Sequence, residues 1–146
     1  MRFQTALGFH FDPPTSQALK ENAKLIRKMS AERVRDEITS MLQGSAPVEA
    51  LQSLLEHELL PEILPEVAAL RGLRQSPVGR EGSVWKHTLK VFMHLRRLAP
   101  QRSAALCWAA LLHSTGKVIA AKKSDGKNFN GYDQDSAERD RRRRAS

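Results

Sequence analysis

Prolines, glycines and N-capping residues cut this sequence into short segments, each with apolar side chains at helical spacing, and that punctuation restricts the fold to packed helices. Asp12 is a good N-cap, Pro13 suits the first helical position, and Leu19, Ala23 and Ile26 recur at helical spacing. Ser30 caps a second helix with Val34, Ile38, Met41 and Leu42 on its apolar side and Gly44 at its close. The other side of that helix is charged, with Glu32, Arg33, Arg35, Asp36 and Glu37. A third helix starts near Pro47 and buries Val48, Leu51, Leu54 and Leu55. Pro61 and Pro65 break the next stretch into a short helix ending near Leu70.

A linker-like segment, GLRQSPVGREG, lies between Gly72 and Gly82. Ser83 then caps a fifth helix running to about Leu98, with Val84, Val91, Leu95 and Leu98 on one stripe and Pro100 ending it. The apolar run from Ala104 to Leu112 has no polar face, which predicts a helix enclosed on all sides. Its alanine-rich composition disfavours a strand. After Gly116 the pattern fails: KKSDGKNFNGYDQDS reads as loop, and the Arg-rich end as disorder. The expected fold class is all-α, with helical modules at 1–75 and 76–137 and a disordered tail at 138–146.

A chain of 146 residues with 40% hydrophobic side chains has enough material for one domain or two small helical modules. The longest unbroken apolar run has nine residues, against roughly 18 for a membrane-spanning helix, so no membrane partner is expected. The N-terminus, MRFQTALGFHF, lacks the longer apolar stretch of a secretory signal. The single cysteine, Cys107, allows no internal disulfide and no CxxC zinc site. A reduced, cytoplasmic, soluble protein is the expectation. Of the net charge of +8, the segment ERDRRRRAS contributes +3, leaving about +5 on the first 137 residues. That excess fits either attraction to phosphate-rich partners or a solvated surface.

His87, His94 and His113 are the histidines worth weighing, because His113 ends an apolar helix in LLHSTGK. The segment VWKHTLKVFMHL, then WAALLHSTGK, then FNGYD, resembles the HD domain. It is closer still to the HD-like region following the catalytic core of bacterial CCA-adding enzymes and related poly(A) polymerases. That family's pattern runs WxHT, then HDxGKP, then FxGHxxxGA. Upstream, RFQTALGFHFDPPTSQALKENAKLIRKMSAERVRDEITSML is similar to the family's neck, RFxxxLGFxxDxxTxxAI followed by SxERIxxEL, and LLPEILPEVAALRGLRQ to its body helices. The resemblance runs collinearly from residue 2 to about 137. It identifies 1–75 as neck/body-like RNA-binding helices and 76–137 as a partial, degenerate HD-like module.

The resemblance also sets expectations through its departures. The family's nucleotidyltransferase centre lies in an upstream head domain with paired aspartates, and the full-length enzymes use Mg2+ with ATP or CTP. This chain starts at Met1-Arg2-Phe3, so the expectation is no cofactor and no nucleotidyl transfer from these residues. The HD remnant comprises His87, His113, Ser114, Lys117 and Tyr132. Ser114 stands where the HD pair has its aspartate and Tyr132 where the FxGH loop has its histidine. A neutral hydroxyl replaces an anionic ligand poorly, so no metal is expected. On that reading His87 and His113 form a hydrogen-bonded pair between helices.

The favoured function is an RNA-binding fragment gripping tRNA or another RNA through phosphates. The candidates are Arg27, Lys28, Arg33 and Arg35 around the Ser30 turn, with Arg71, Arg74 and Arg80 near the linker. Arg33 and Glu37 stand four apart, where an ion pair competes with RNA. The alternatives are an HD phosphohydrolase drawing on Asp125, Asp133 or Asp135, and a module docking a separately encoded head domain. With a charged tail where the family has another apolar helix, apolar positions among Leu106, Trp108, Leu111 and Leu112 are expected to lie uncovered and to promote self-association. The Arg-rich end reads as an RNA-contacting arm or, in preference, as a truncated or frame-shifted terminus.

Overall fold

The computed structural model describes residues 10–73 and 82–123. Every described element is helical, so the chain is all-α. It divides into two compact units, Met1–Pro65 and Glu66–Ser146. Arg74, Arg80, Tyr132, the three loop aspartates and the Arg-rich tail lie outside the described residues.

The first unit contains α1 (Pro13–Glu21), a 3-10 segment (Ala23–Lys28), α2 (Ala31–Gln43), α3 (Pro47–Glu56) and α4 (Leu59–Ile63). Asp12 occupies the N-cap position of α1, but its side chain makes no capping bond. The helix expected to run on through Ile26 stops at Asn22, whose Nδ2 donates to the Ala18 carbonyl at 2.8 Å. That bond satisfies a carbonyl at the helix end, and the chain tightens into the 3-10 turn. Ser30 caps α2 as its sequence position predicts, accepting from the Arg33 amide at 3.4 Å. The core is built from Ile38 and Leu42 of α2, Ala50, Leu51 and Leu54 of α3, and Leu59, Leu60 and Leu64 around α4. α4 packs on α3 and on the 3-10 segment, and α2 packs on α3. Between α3 and α4 the backbone turns through Glu58 at φ 60°, which among the described residues is the only non-glycine in the left-handed region.

The second unit contains the short α5 (Pro65–Ala68), a 3-10 turn (Ala69–Gly72), α6 (Val84–Leu98), α7 (Ala104–Leu112) and α8 (Gly116–Lys123). Val67 and Leu70 are fully buried, and α6 and α8 both pack on the 3-10 turn. Ser83 caps α6 through the Lys86 amide at 3.3 Å, and Ser103 caps α7 through the Leu106 amide at 3.2 Å.

Three expectations are corrected here. The buried side of α6 consists of Val84, Trp85, Thr88, Leu89 and Phe92, while Leu98 is 76% exposed. The larger rings and Leu89 take the core, which rotates the buried stripe about a quarter-turn from the aliphatic one. α7 is not enclosed on all sides: Ala105, Leu106 and Ala109 face outward, while Leu111 and Leu112 are fully covered. Small apolar residues on an exposed face cost little, so composition concealed an ordinary one-sided helix. The helical pattern, expected to fail after Gly116, continues as α8 through Lys123, which takes in the first two residues of the expected loop and buries Val118, Ala120 and Ala121; the rest of that loop lies outside the described residues. By length and hydropathy Ala104–Ala121 matches a membrane-crossing window, but 61% of it is buried within the fold and a turn at 113–115 interrupts it.

Candidate functional site

The Ser30 turn brings Arg27, Lys28, Arg33 and Arg35 into one short stretch, and all four are exposed. They are not equivalent. Arg27 Nε lies 2.5 Å from Oε2 of Glu62, a largely covered carboxylate on α4, so Arg27 braces the 3-10 segment against α4. Arg35 sits 3.4 Å from its neighbour Asp36. Lys28 and Arg33 make no side-chain ion pair among the described residues, which leaves them available to a phosphate. Arg71 is exposed at the end of the 3-10 turn of the second unit. The sequence candidates therefore fall in two places, and one of the best of them is already engaged.

Sequence reasoning passed over His57, which the fold buries to 4% exposure at the end of α3. Its Nδ1 donates to the Ser53 carbonyl at 2.8 Å, leaving Nε2 to accept from the Ser16 hydroxyl at 3.0 Å. Phe11 meets the ring edge-on at 5.3 Å. α1 buries no residue of its own, so this network fastens it to α3. Its nearest sequence signal is Ser53, four residues ahead of His57 on one helical face.

In the second unit, α6 and the end of α7 bring His87 and His113 together, with ring centroids 5.3 Å apart at 62°. The expected hydrogen bond between them does not form. His113 Nδ1 donates to the Ala110 carbonyl at 2.8 Å, because the ring folds back on its own helix. Its Nε2 and the hydroxyl of fully buried Ser114 are left without hydrogen-bond partners. Lys117 is buried beside them. Burial pushes the His87 ring below its ordinary pKa, with His113, Lys117 and Lys90 adding to the effect. Burial likewise pushes His113 down, opposed by its bond to Ala110 and reinforced by Lys117. At neutral pH the pair is therefore two uncharged imidazoles. Among the described residues no three His, Cys, Asp or Glu side chains gather at any point. The geometry offers an acceptor nitrogen and a hydroxyl, without an anionic ligand to accompany them.

One signal was legible in the sequence but was missed by splitting off only the tail. Counted by unit, residues 10–65 carry six Lys and Arg against nine Asp and Glu, a net of −3. The basic character of the chain lies elsewhere.

Comparison with known proteins identifies the family. Residues 8–70 match the family model described as "Probable RNA and SrmB- binding site of polymerase A". The A-adding tRNA nucleotidyltransferase of Deinococcus radiodurans is 31% identical over 145 residues, which cover 94% of this chain and 33% of that protein. The CC-adding tRNA nucleotidyltransferase of Thermus thermophilus is 32% identical over 127 residues, covering 84% of this chain and 29% of that protein. The CCA-adding enzyme of Lactiplantibacillus plantarum is 38% identical over 80 residues, covering 53% of this chain and 20% of that protein. The chain spans about a third of the length of the first two relatives. No solved structure matches it.

Proposed function

The chain belongs to the tRNA nucleotidyltransferase and poly(A) polymerase family, and from that premise we propose that it serves as an RNA-binding module holding tRNA or another RNA by its phosphates. The observation that carries this reading is the position of the exposed Lys28 and Arg33 inside residues 8–70, the span matched to an RNA-binding site. Phosphate contacts of this kind position a nucleic acid without reading its sequence. Among the described residues no three His, Cys, Asp or Glu side chains come together to hold a metal, and on this reading catalysis by the family's route belongs to a head domain outside residues 10–123. Mg2+ and ATP or CTP then belong to that head domain, and the protein works in the cytoplasm.

The test has two arms. Purified chain given ATP, CTP, magnesium and tRNA lacking its 3′ end is expected to bind the RNA and add nothing to it. With about six phosphate contacts, affinity falls roughly 10³-fold between 50 and 200 mM salt. Binding indifferent to salt overturns the phosphate-contact reading, and nucleotide addition overturns the non-catalytic one. The contact of His87 with His113 supports a second reading, a metal-dependent phosphohydrolase. Stoichiometric uptake of a divalent ion together with metal-dependent hydrolysis of a phosphoester by the purified chain would favour it over the binding-module reading.

A further inference from the structure

Residues 82–123 contain eight Lys and Arg and not one Asp or Glu. This is the most one-signed stretch of the described chain, and it lies wholly outside the span matched to an RNA-binding site. Within it, α6 turns Val84, Trp85, Thr88, Leu89 and Phe92 into the core. Helical periodicity then places Lys86, Lys90 and Arg97, at spacings of four and seven, along the opposite face, and all three are exposed. At 1.5 Å per residue they span about 16 Å along the helix axis. His94 lies beside them, also exposed.

Helix stability does not account for this stripe. Arg97, in the last turn, is favoured by the helix dipole, but Lys86, in the first turn, is opposed by it. Lys86 and Lys90 stand four apart, where like charges repel, and the helix has no carboxylate to relieve them. None of the three cations makes an ion pair or side-chain hydrogen bond among the described residues. The arrangement is unfavourable to the free helix and suited to an external polyanion.

We propose that the outward face of α6, with Lys86, Lys90 and Arg97, is a second contact surface for the phosphate backbone of RNA and carries a larger share of the electrostatic grip than the Ser30 turn. This rests on the RNA-binding reading above and assigns part of that binding to the other unit. An RNA suits the face better than an acidic protein does, because protein interfaces are depleted in lysine at their centres, where this face holds two. Flexible ammonium groups spaced along a rod match a regular line of phosphates at any sequence.

The test uses the full chain with Lys86→Gln, Lys90→Gln and Arg97→Gln together, and tRNA as the probe. These changes remove like-charge repulsion from a solvent face, so the helical circular dichroism and the unfolding midpoint are expected to be kept or raised. The slope of log affinity against log salt is expected to fall by about two to three, each lost contact removing about 0.7–0.9. The loss of affinity between 50 and 200 mM salt then shrinks from roughly 10³-fold to roughly 30-fold. A companion variant, Lys28→Gln with Arg33→Gln, is expected to lower the slope by less. A folded triple variant with the parent slope overturns this proposal and leaves the RNA-binding reading standing. A parent chain that fails to bind tRNA at 50 mM salt overturns both. Polyglutamate of matched charge held as tightly as tRNA overturns the choice of RNA in favour of an acidic protein.

Discussion

The first unit buries His57 and the second half-buries His113, and they treat the ring differently. In the first, His57 has a partner on each ring nitrogen, and these partners tie α1 to α3. In the second, His113 has one partner and an orphaned Nε2, faces a second imidazole, and sits beside a buried lysine. The same contrast holds for charge. The first unit is mildly acidic and pairs Arg27 with Glu62, whereas residues 82–123 have cations and no carboxylate. The first unit answers part of its charge internally and leaves Lys28 and Arg33 for a partner. The α6 face leaves three cations unanswered, and a partner outside the chain is its natural complement.

The largest test of this contrast is in the cores, which should be equally demanding even though the surfaces differ. Phe92→Ala is expected to cost about 3–5 kcal/mol and Leu60→Ala about 2–5 kcal/mol, since both side chains are almost completely buried and leave cavities. Denaturant unfolding measures both. A cost below about 1 kcal/mol for Phe92→Ala would mean that the α6 core is loosely formed and the placement of its basic face unsound.

A smaller loss, about 1–3 kcal/mol, is expected for His57→Ala, which strips partners from Ser16 and Ser53. Because α1 buries no residue of its own, hydrogen exchange should quicken there first. Uniform quickening across the first unit would show that His57 is only core filling.

The smallest effect concerns acid. The His87 and His113 rings take up protons less readily in the folded chain than in the unfolded one. Above the ordinary histidine value of about 6.5 both states are neutral, and this contribution to stability is fully present. As the pH falls through that value the unfolded chain gains protons first, so stability drops. Protection factors in α6 and α7, corrected for intrinsic exchange, should therefore fall between pH 7 and 5, and His113→Gln should flatten the change. Equal protection at both pH values would break the distinction drawn between His57 and the His87–His113 pair.

Much of the helical layout was legible because capping is local chemistry. Ser30 and Ser83 cap α2 and α6 where their positions predict, and Pro47 opens α3. What failed depended on tertiary neighbours. The buried side of α6 was set by Trp85 and Phe92 finding cover, which the spacing of aliphatic residues could not reveal. α8 has no amphipathic period to detect, because it is covered on more than one side. At the candidate site, the approach of His87 to His113 was foreseeable from the family pattern, but the fold of His113 back onto Ala110 was not. Arg27 was read as a free cation because its partner, Glu62, lies on another helix.

The turn at Glu58 has a consequence for how such a chain can change over generations. A side chain held at φ 60° costs about 1–2 kcal/mol relative to glycine's freedom there. Glutamate and glycine codons differ by a single base, so part of that strain can be relieved by one transition at a surface position. The core leucines that follow, Leu59 and Leu60, need the reversal of direction and have no use for the carboxylate that makes it. A lineage pressed by heat thus has a short mutational route to a firmer fold, and its first step leaves the basic face of α6 untouched.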